Sequence, residues 1–222
     1  MNEILAPLYY LQFQWPSPTA ESEVFFMFSG LMTFLIDMHI KDMDESEQGI
    51  MGRMRFLNRF LKVVDYELWL KLENEKIIPQ YYSFRWMALM LAQEFGLYET
   101  IKLWDVMLSY DGSRRYFYLY CCCVAILKYR KSSIMDYDFV QILPLIQKLR
   151  DVNVGRVVEI ANRLYEKYGK VNIDKLHARL NEELEQRKAQ EKGEGPGEGK
   201  KWTYSGMIEK TGNFLYKMVG RK

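Results

Sequence analysis

The sequence predicts an all-α fold. Apolar residues recur at i, i+3, i+4 and i+7 almost everywhere a period can be read, the spacing that puts them on one face of a helix. No stretch alternates β-branched residues between two-residue turns, the pattern a sheet requires. Hydrophobic residues make up 49% and aromatics 15% of the 222 residues, and only 14 glycines and 6 prolines occur, which is the composition of a chain with a core.

In chain order, Ile50, Met54, Leu57, Leu61 and Val64 form the first clear apolar stripe. Asp65 before Tyr66 and Asp136 before Tyr137 are expected N-caps, since a carboxylate there accepts from the free N–H groups of a first turn. Pro79 and the Asp111-Gly112 pair mark breaks. Between them Leu97, Ile101, Trp104 and Leu108 repeat at helical spacing. Cys121-Cys122-Cys123 sits in an aromatic and aliphatic run and reads as small core hydrophobes. The strongest stripe is Val154, Val157, Val158, Ala161, Leu164, Tyr165 and Tyr168. Residues 181–201 turn charged and then Gly-rich, which predicts a flexible linker. Beyond it Trp202, Met207, Ile208, Phe214 and Leu215 recur beside Lys210, Lys217, Arg221 and Lys222, a basic amphipathic helix. Such a helix docks on a membrane surface or a partner through residues 202–219, or folds back on its own domain.

Several function classes are disfavoured. The 31 basic and 29 acidic residues leave a net charge of +2, too little for a domain-wide field, so no nucleic-acid partner is expected. The longest apolar uncharged run, residues 24–36, falls short of a membrane span, and the start lacks a basic n-region, so the expected compartment is the cytoplasm, with peripheral membrane contact through the last helix. Three adjacent cysteines and only His39 and His177 supply neither a zinc site nor a nucleophile pair; no metal and no cofactor are expected. Glu21 with Glu23, and Asp42 with Asp44 and Glu45, read as helix N-terminal charges. Gly49-Ile50-Met51-Gly52 lacks the strand-to-helix setting of a phosphate cradle.

Four blocks in order carry a family resemblance. Met1-Asn2-Glu3-Ile4-Leu5-Ala6-Pro7-Leu8-Tyr9-Tyr10 resembles the helix after the Tyr-x-Gln-Gly motif of TBC domains, the Rab GTPase-activating family. Glu21-Ser22-Glu23-Val24-Phe25-Phe26-Met27-Phe28 resembles the acidic-aromatic helix that comes next, and Pro79-x5-Arg85-Trp86, with Glu94-Phe95 and Leu103-Trp104-Asp105, resembles the later block. The Asn-Glu-Ile-x2-Pro-x-Tyr-Tyr variant is most similar to the small-TBC subgroup around the family's thirteenth member.

The resemblance implies a helical Rab-binding domain that supplies an arginine and a glutamine in trans, from Ile-x2-Asp-x2-Arg and Tyr-x-Gln-Gly motifs that would lie before Met1. It therefore implies residues 1–170 as a partial TBC domain lacking its N-terminal part; outside the resemblance, composition and spacing give 171–201 as charged helix and Gly-rich linker and 202–222 as the basic amphipathic helix. The expected function is a TBC-type regulator of Rab GTPases in vesicle trafficking, inactive as given, with no catalytic residue of its own. The alternative is a scaffolding subunit built on a catalytically empty half-domain. Asn2 and Glu3 are expected to face the GTPase. Arg85, Trp86, Trp104 and Asp105 are expected to be structural, Arg85 as a buried hydrogen-bonded residue and Asp105 as a cap or the partner of Arg85. Arg53, Arg55 and Arg59 are expected on a solvated charged face. Ile4, Leu5, Leu8 and Tyr9 are expected to leave an apolar patch that self-associates or is covered by a protein partner.

Overall fold

The computed structural model describes residues 1–14 and 17–193. The flexible linker expected over 181–201 is helical as far as Gly193, where its run of Glu, Gln, Arg, Lys and Ala, all good helix formers, continues the last helix; the rest of it and the helix expected over 202–222 lie outside the described residues. The chain divides into two units, residues 1–177 and 178–222. Among the described residues every regular element is a helix. In order they are α1 (Asn2–Phe13), α2 (Ala20–Leu35), α3 (Ile50–Val64), α4 (Tyr66–Asn74), α5 (Ser83–Ala88), α6 (Leu97–Leu108), α7 (Gly112–Tyr129), α8 (Lys131–Asp136), α9 (Phe139–Gln147), α10 (Val154–Tyr168) and α11 (Ile173–Gly193), with short 3₁₀ turns between some of them. No described helix is long and apolar enough to cross a membrane. The second unit is described only as the continuation of α11 from Ala178.

The first unit is built around α7. Every residue from Tyr118 to Leu127 is buried, so this helix is apolar on all sides and needs neighbours all round. They are α10, α3, α6, α5 and α8, while α1 packs on α2 and touches α6. The cysteine run is buried within α7, and burial pushes all three thiols well above their ordinary pKa. Helix α10 presents Val154, Val157, Ala161, Leu164 and Tyr168 to the core, as its spacing predicts. Helix α6 is turned from its expected stripe. It buries Thr100, Leu103, Trp104 and Met107 and leaves Leu97 exposed.

Caps and glycines fix the connections. Asp65 caps α4 by accepting from Leu68 N at 3.2 Å and also binds Lys128 and Lys131, each at 2.9 Å. Burial alone would raise its carboxyl pKa, but the hydrogen bonds from Lys131 and Lys128 outweigh that and hold it below the usual value. Asp136 is the last residue of α8 rather than a cap; the cap is Asp138, which forms a capping box with Gln141 at the start of α9. At the start of α3, a Cβ on Gly49 or Gly52 would overlap the carbonyl oxygens of Met43 and Ser46. These glycines let the 43–47 backbone close on the helix.

The charged-face expectation for α3 fails at Arg53, which is only 9% exposed. Its guanidinium lies 3.4 Å from the Tyr116 ring centroid and donates to Gln48 O at 2.8 Å and to the Tyr120 hydroxyl at 3.4 Å. The α7 aromatics thus replace water as its partner. Arg55 and Arg59 pair at the surface, Arg55 with Glu45 at 3.4 Å and Arg59 with Asp174 at 2.9 Å.

Candidate functional site

The start of α1 meets the Arg-Trp block across a cleft of about 420 Å³, lined among others by Met1, Met38, His39, Lys41, Asp44, Phe84 and Arg85. Three segments converge there. Helix α1 opens at Met1, whose carbonyl accepts from Ile4 N at 3.0 Å and Leu5 N at 3.1 Å, and buried Ile4 anchors the turn. That leaves Asn2 and Glu3 on the exposed side. The 38–44 segment is tied down by buried Met38 and by the contact of His39 Nδ1 with Leu35 O at 3.0 Å. Helix α5 is only one and a half turns long, and the turn at its C-terminal end holds it in place.

After α5 the chain turns through Met90 and Leu91 at φ 49° and 64°, a left-handed pair that costs non-glycine residues roughly 1 kcal/mol or more each. Two bonds offset that strain: Leu91 N donates to Trp86 O at 2.8 Å, and the Trp104 indole N–H donates to Met90 O at 2.9 Å. Both Met90 and Leu91 are fully buried. The turn brings Glu94 back onto Arg85. Nε and Nη2 of Arg85 both donate to the Glu94 carboxylate, the second at 3.0 Å, and Nη2 also reaches Gln147 O at 3.1 Å. The Glu94 side chain is 1% exposed and that of Arg85 44%. The hydrogen bond to Glu94 raises the Arg85 pKa further, so the guanidinium stays charged and committed.

The named residues therefore separate. Trp86 and Trp104 are buried, but Arg85, expected to be buried as well, is exposed in the cleft because its helix is too short to cover it; only its expected hydrogen bonding holds, to Glu94 beneath. Asp105 does not meet Arg85. It sits on the exposed side of α6, one residue past buried Trp104, and Glu94 takes the role expected of it. Phe84, Lys41 and His39 are the cleft residues that sequence reasoning missed. Phe84 carried a signal, a large apolar residue next to a charged one in a helix too short to bury both faces.

The apolar patch expected on α1 is half covered, because Ile4 and Leu8 are buried. What remains is Tyr9, Tyr10 and Phe13, with Tyr9 stacked on Phe13 at 4.1 Å along a shallow groove of about 470 Å³. On α2, Phe25 and Phe26 are exposed as well.

The cleft offers charge and shape, and its lining holds no nucleophile paired with a base. A family model described as Rab-GTPase-TBC domain matches residues 1–135. TBC1 domain family member 13 of Mus musculus is 37% identical over 168 residues, covering 74% of this chain and 42% of that protein. Its Homo sapiens counterpart is 36% identical over the same length, and a TBC domain-containing protein of Schizosaccharomyces pombe is 34% identical over 181 residues, with 74% of this chain and 29% of that protein covered. The chain thus spans about two-fifths of the length of the first of these relatives. The crystal structure of the Ypt/Rab-GAP domain of Gyp1p is similar in fold, with a TM-score of 0.62 at 19% identity, covering 74% of this chain and 57% of that one.

Proposed function

This chain belongs to the Rab-GTPase-TBC domain family, and from that premise we propose that it forms part of a regulator of Rab-type small GTPases. The observation that carries the reading is the family match over residues 1–135, which includes both sides of the cleft, the start of α1 and the Arg85 block. The GTPase contacts Asn2 and Glu3 on the exposed first turn of α1, beside the cleft that Met1 lines with Phe84 and Lys41; Asn2 itself borders the aromatic groove of α1.

These 222 residues supply surface and scaffold and not the catalytic groups. Phosphoryl transfer is accelerated by charge stabilisation and positioning, and an arginine finger contributes roughly 10³- to 10⁵-fold. Arg85 is the arginine nearest the proposed interface, and its commitment to Glu94 argues against that role. Swinging it toward a nucleotide would strand a buried carboxylate, at a cost of about 2–3 kcal/mol once solvent screening of the exposed Arg85 is allowed for. The family's arginine and glutamine motifs do not occur in this sequence. A single-turnover assay on GTP-loaded Rabs tests this. The 222 residues alone are expected to stimulate hydrolysis less than about tenfold, whereas fingers supplied by this chain would give at least the lower bound of about 10³.

The exposed aromatics of α1 and α2 favour a second reading alongside the first: a protein segment covers Tyr9, Tyr10 and Phe13, and without it the chain self-associates. Residues 202–219 add a weak, salt-sensitive attachment to anionic membranes, where Rabs would be met.

A further inference from the structure

A second surface plays no part in that reading. Ile78, Tyr81, Phe139 and Val140 are all exposed where the turn after α4 meets the start of α9, Val140 to 73%. They are held as one face. The Tyr81 and Phe139 rings meet edge to face at 6.4 Å, the Phe139 amide donates to Glu75 Oε2 at 3.1 Å, and Gln147 Nε2 donates to Tyr81 O at 2.8 Å. Lys76, at φ 58°, turns the chain so that Ile77 is buried while Ile78 stays outside. Four carboxylates stand on the same segments, Glu73, Glu75, Asp136 and Asp138, against Lys71 and Lys76, and Lys71 is already bound to Glu75 at 2.8 Å.

Fixed aromatics on segments that carry more carboxylates than lysines, with Arg85 reaching Gln147 O at the far side, have the anatomy of an interface, in which an apolar centre gives affinity and charge selects the partner. The carboxylate excess repels anionic membranes and nucleic acid and attracts lysine and arginine. We propose that this face docks a basic amphipathic segment of a partner protein, separately from the GTPase.

The test is fluorescence anisotropy of the full 222-residue chain with a labelled helix of leucine and lysine, beside the same helix with glutamate in place of lysine. The lysine helix is expected to bind, less tightly as salt is raised, and the glutamate helix is not. Val140→Ser and Tyr81→Ser each weaken binding roughly tenfold, the loss of one interface anchor. Phe26→Ser, on an equally exposed aromatic of α2, leaves binding unchanged. Val140→Ser, at the most exposed position of the face, keeps the unfolding midpoint of the parent, so its loss of binding is read on a folded chain. The proposal is overturned if neither helix binds, if both bind alike, or if Phe26→Ser weakens binding as much as Val140→Ser. Rab binding is expected to be untouched by Val140→Ser, so the two readings fail independently.

Discussion

Removing the guanidinium at position 85 is expected to destabilise the fold through a residue it leaves behind. In Arg85→Ala, Glu94 keeps its place in the turn after α5, with its side chain 1% exposed and both hydrogen bonds from Arg85 gone. Breaking a buried ion pair from one side costs roughly 3–5 kcal/mol. Arg85 itself is 44% exposed, so water screens part of the attraction and enters the gap, and a loss of about 2–3 kcal/mol is the expectation. For a domain of this size, each kcal/mol moves the midpoint by about 2–4 °C, which puts the shift at roughly 4–12 °C. Glu94→Gln in the same chain removes the stranded charge, so the double variant should recover part of the loss, with a coupling of about 1–2 kcal/mol in a double-mutant cycle. Urea unfolding detected by circular dichroism reads the energies of all four members, and thermal melts of the parent and Arg85→Ala read the shift. If Arg85→Ala unfolds at the parent midpoint, or if Glu94→Gln adds its full cost on top, the pair is not the clamp described here and Arg85 is free to move.

Asp65→Ala is expected to lose about 1–3 kcal/mol at neutral pH, from the α4 cap and two lysine partners. Because the folded carboxyl titrates below its ordinary value of 3.8, its stabilisation is full above that value and is lost as pH falls through the folded pKa, so parent and variant should converge in urea melts only in strong acid. Gly52→Ala should destabilise by about 1–3 kcal/mol, since its methyl meets backbone that cannot rotate away; a gain in stability, as expected at an open helical glycine, would contradict the packing described. On α1, Tyr9→Ser with Phe13→Ser should convert self-associated chain to monomer by light scattering, and clean monomer in the parent would contradict the exposed-face reading.

The parts of the fold legible in the sequence are those whose burial is one-sided. Helix α10 alternates Val154, Val157 and Ala161 with charged Arg156, Glu159 and Arg163, so its period survives in the sequence. Helix α7 carries no such period because the ten residues Tyr118 to Leu127 are buried on every side, and its central place comes only from packing. Arg53 is misleading in sequence for a related reason. Its neighbours along α3 are charged, but its partners Tyr116 and Tyr120 come from another helix. At the candidate site, the Arg85-Trp86 and Trp104 blocks are recognisable as a pattern. The pairing of Arg85 with Glu94 depends on a left-handed turn at Met90 and Leu91, two residues whose types give no hint of it. The cap at Asp138 in place of Asp136 is decided by Gln141, three residues on, completing the box.

The proposed Rab-facing surface joins the exposed first turn of α1 to Phe84 across the cleft that begins at Met1. The direct measurement is binding of the 222-residue chain to a panel of purified Rabs, each loaded with GDP or a non-hydrolysable GTP analogue, beside the variants Glu3→Lys and Phe84→Ser. At least one Rab is expected to bind with preference for the triphosphate state, and each variant should weaken that binding roughly tenfold while leaving the unfolding midpoint in place. Absence of binding to every Rab in either state, or binding that neither variant changes, would contradict the claim.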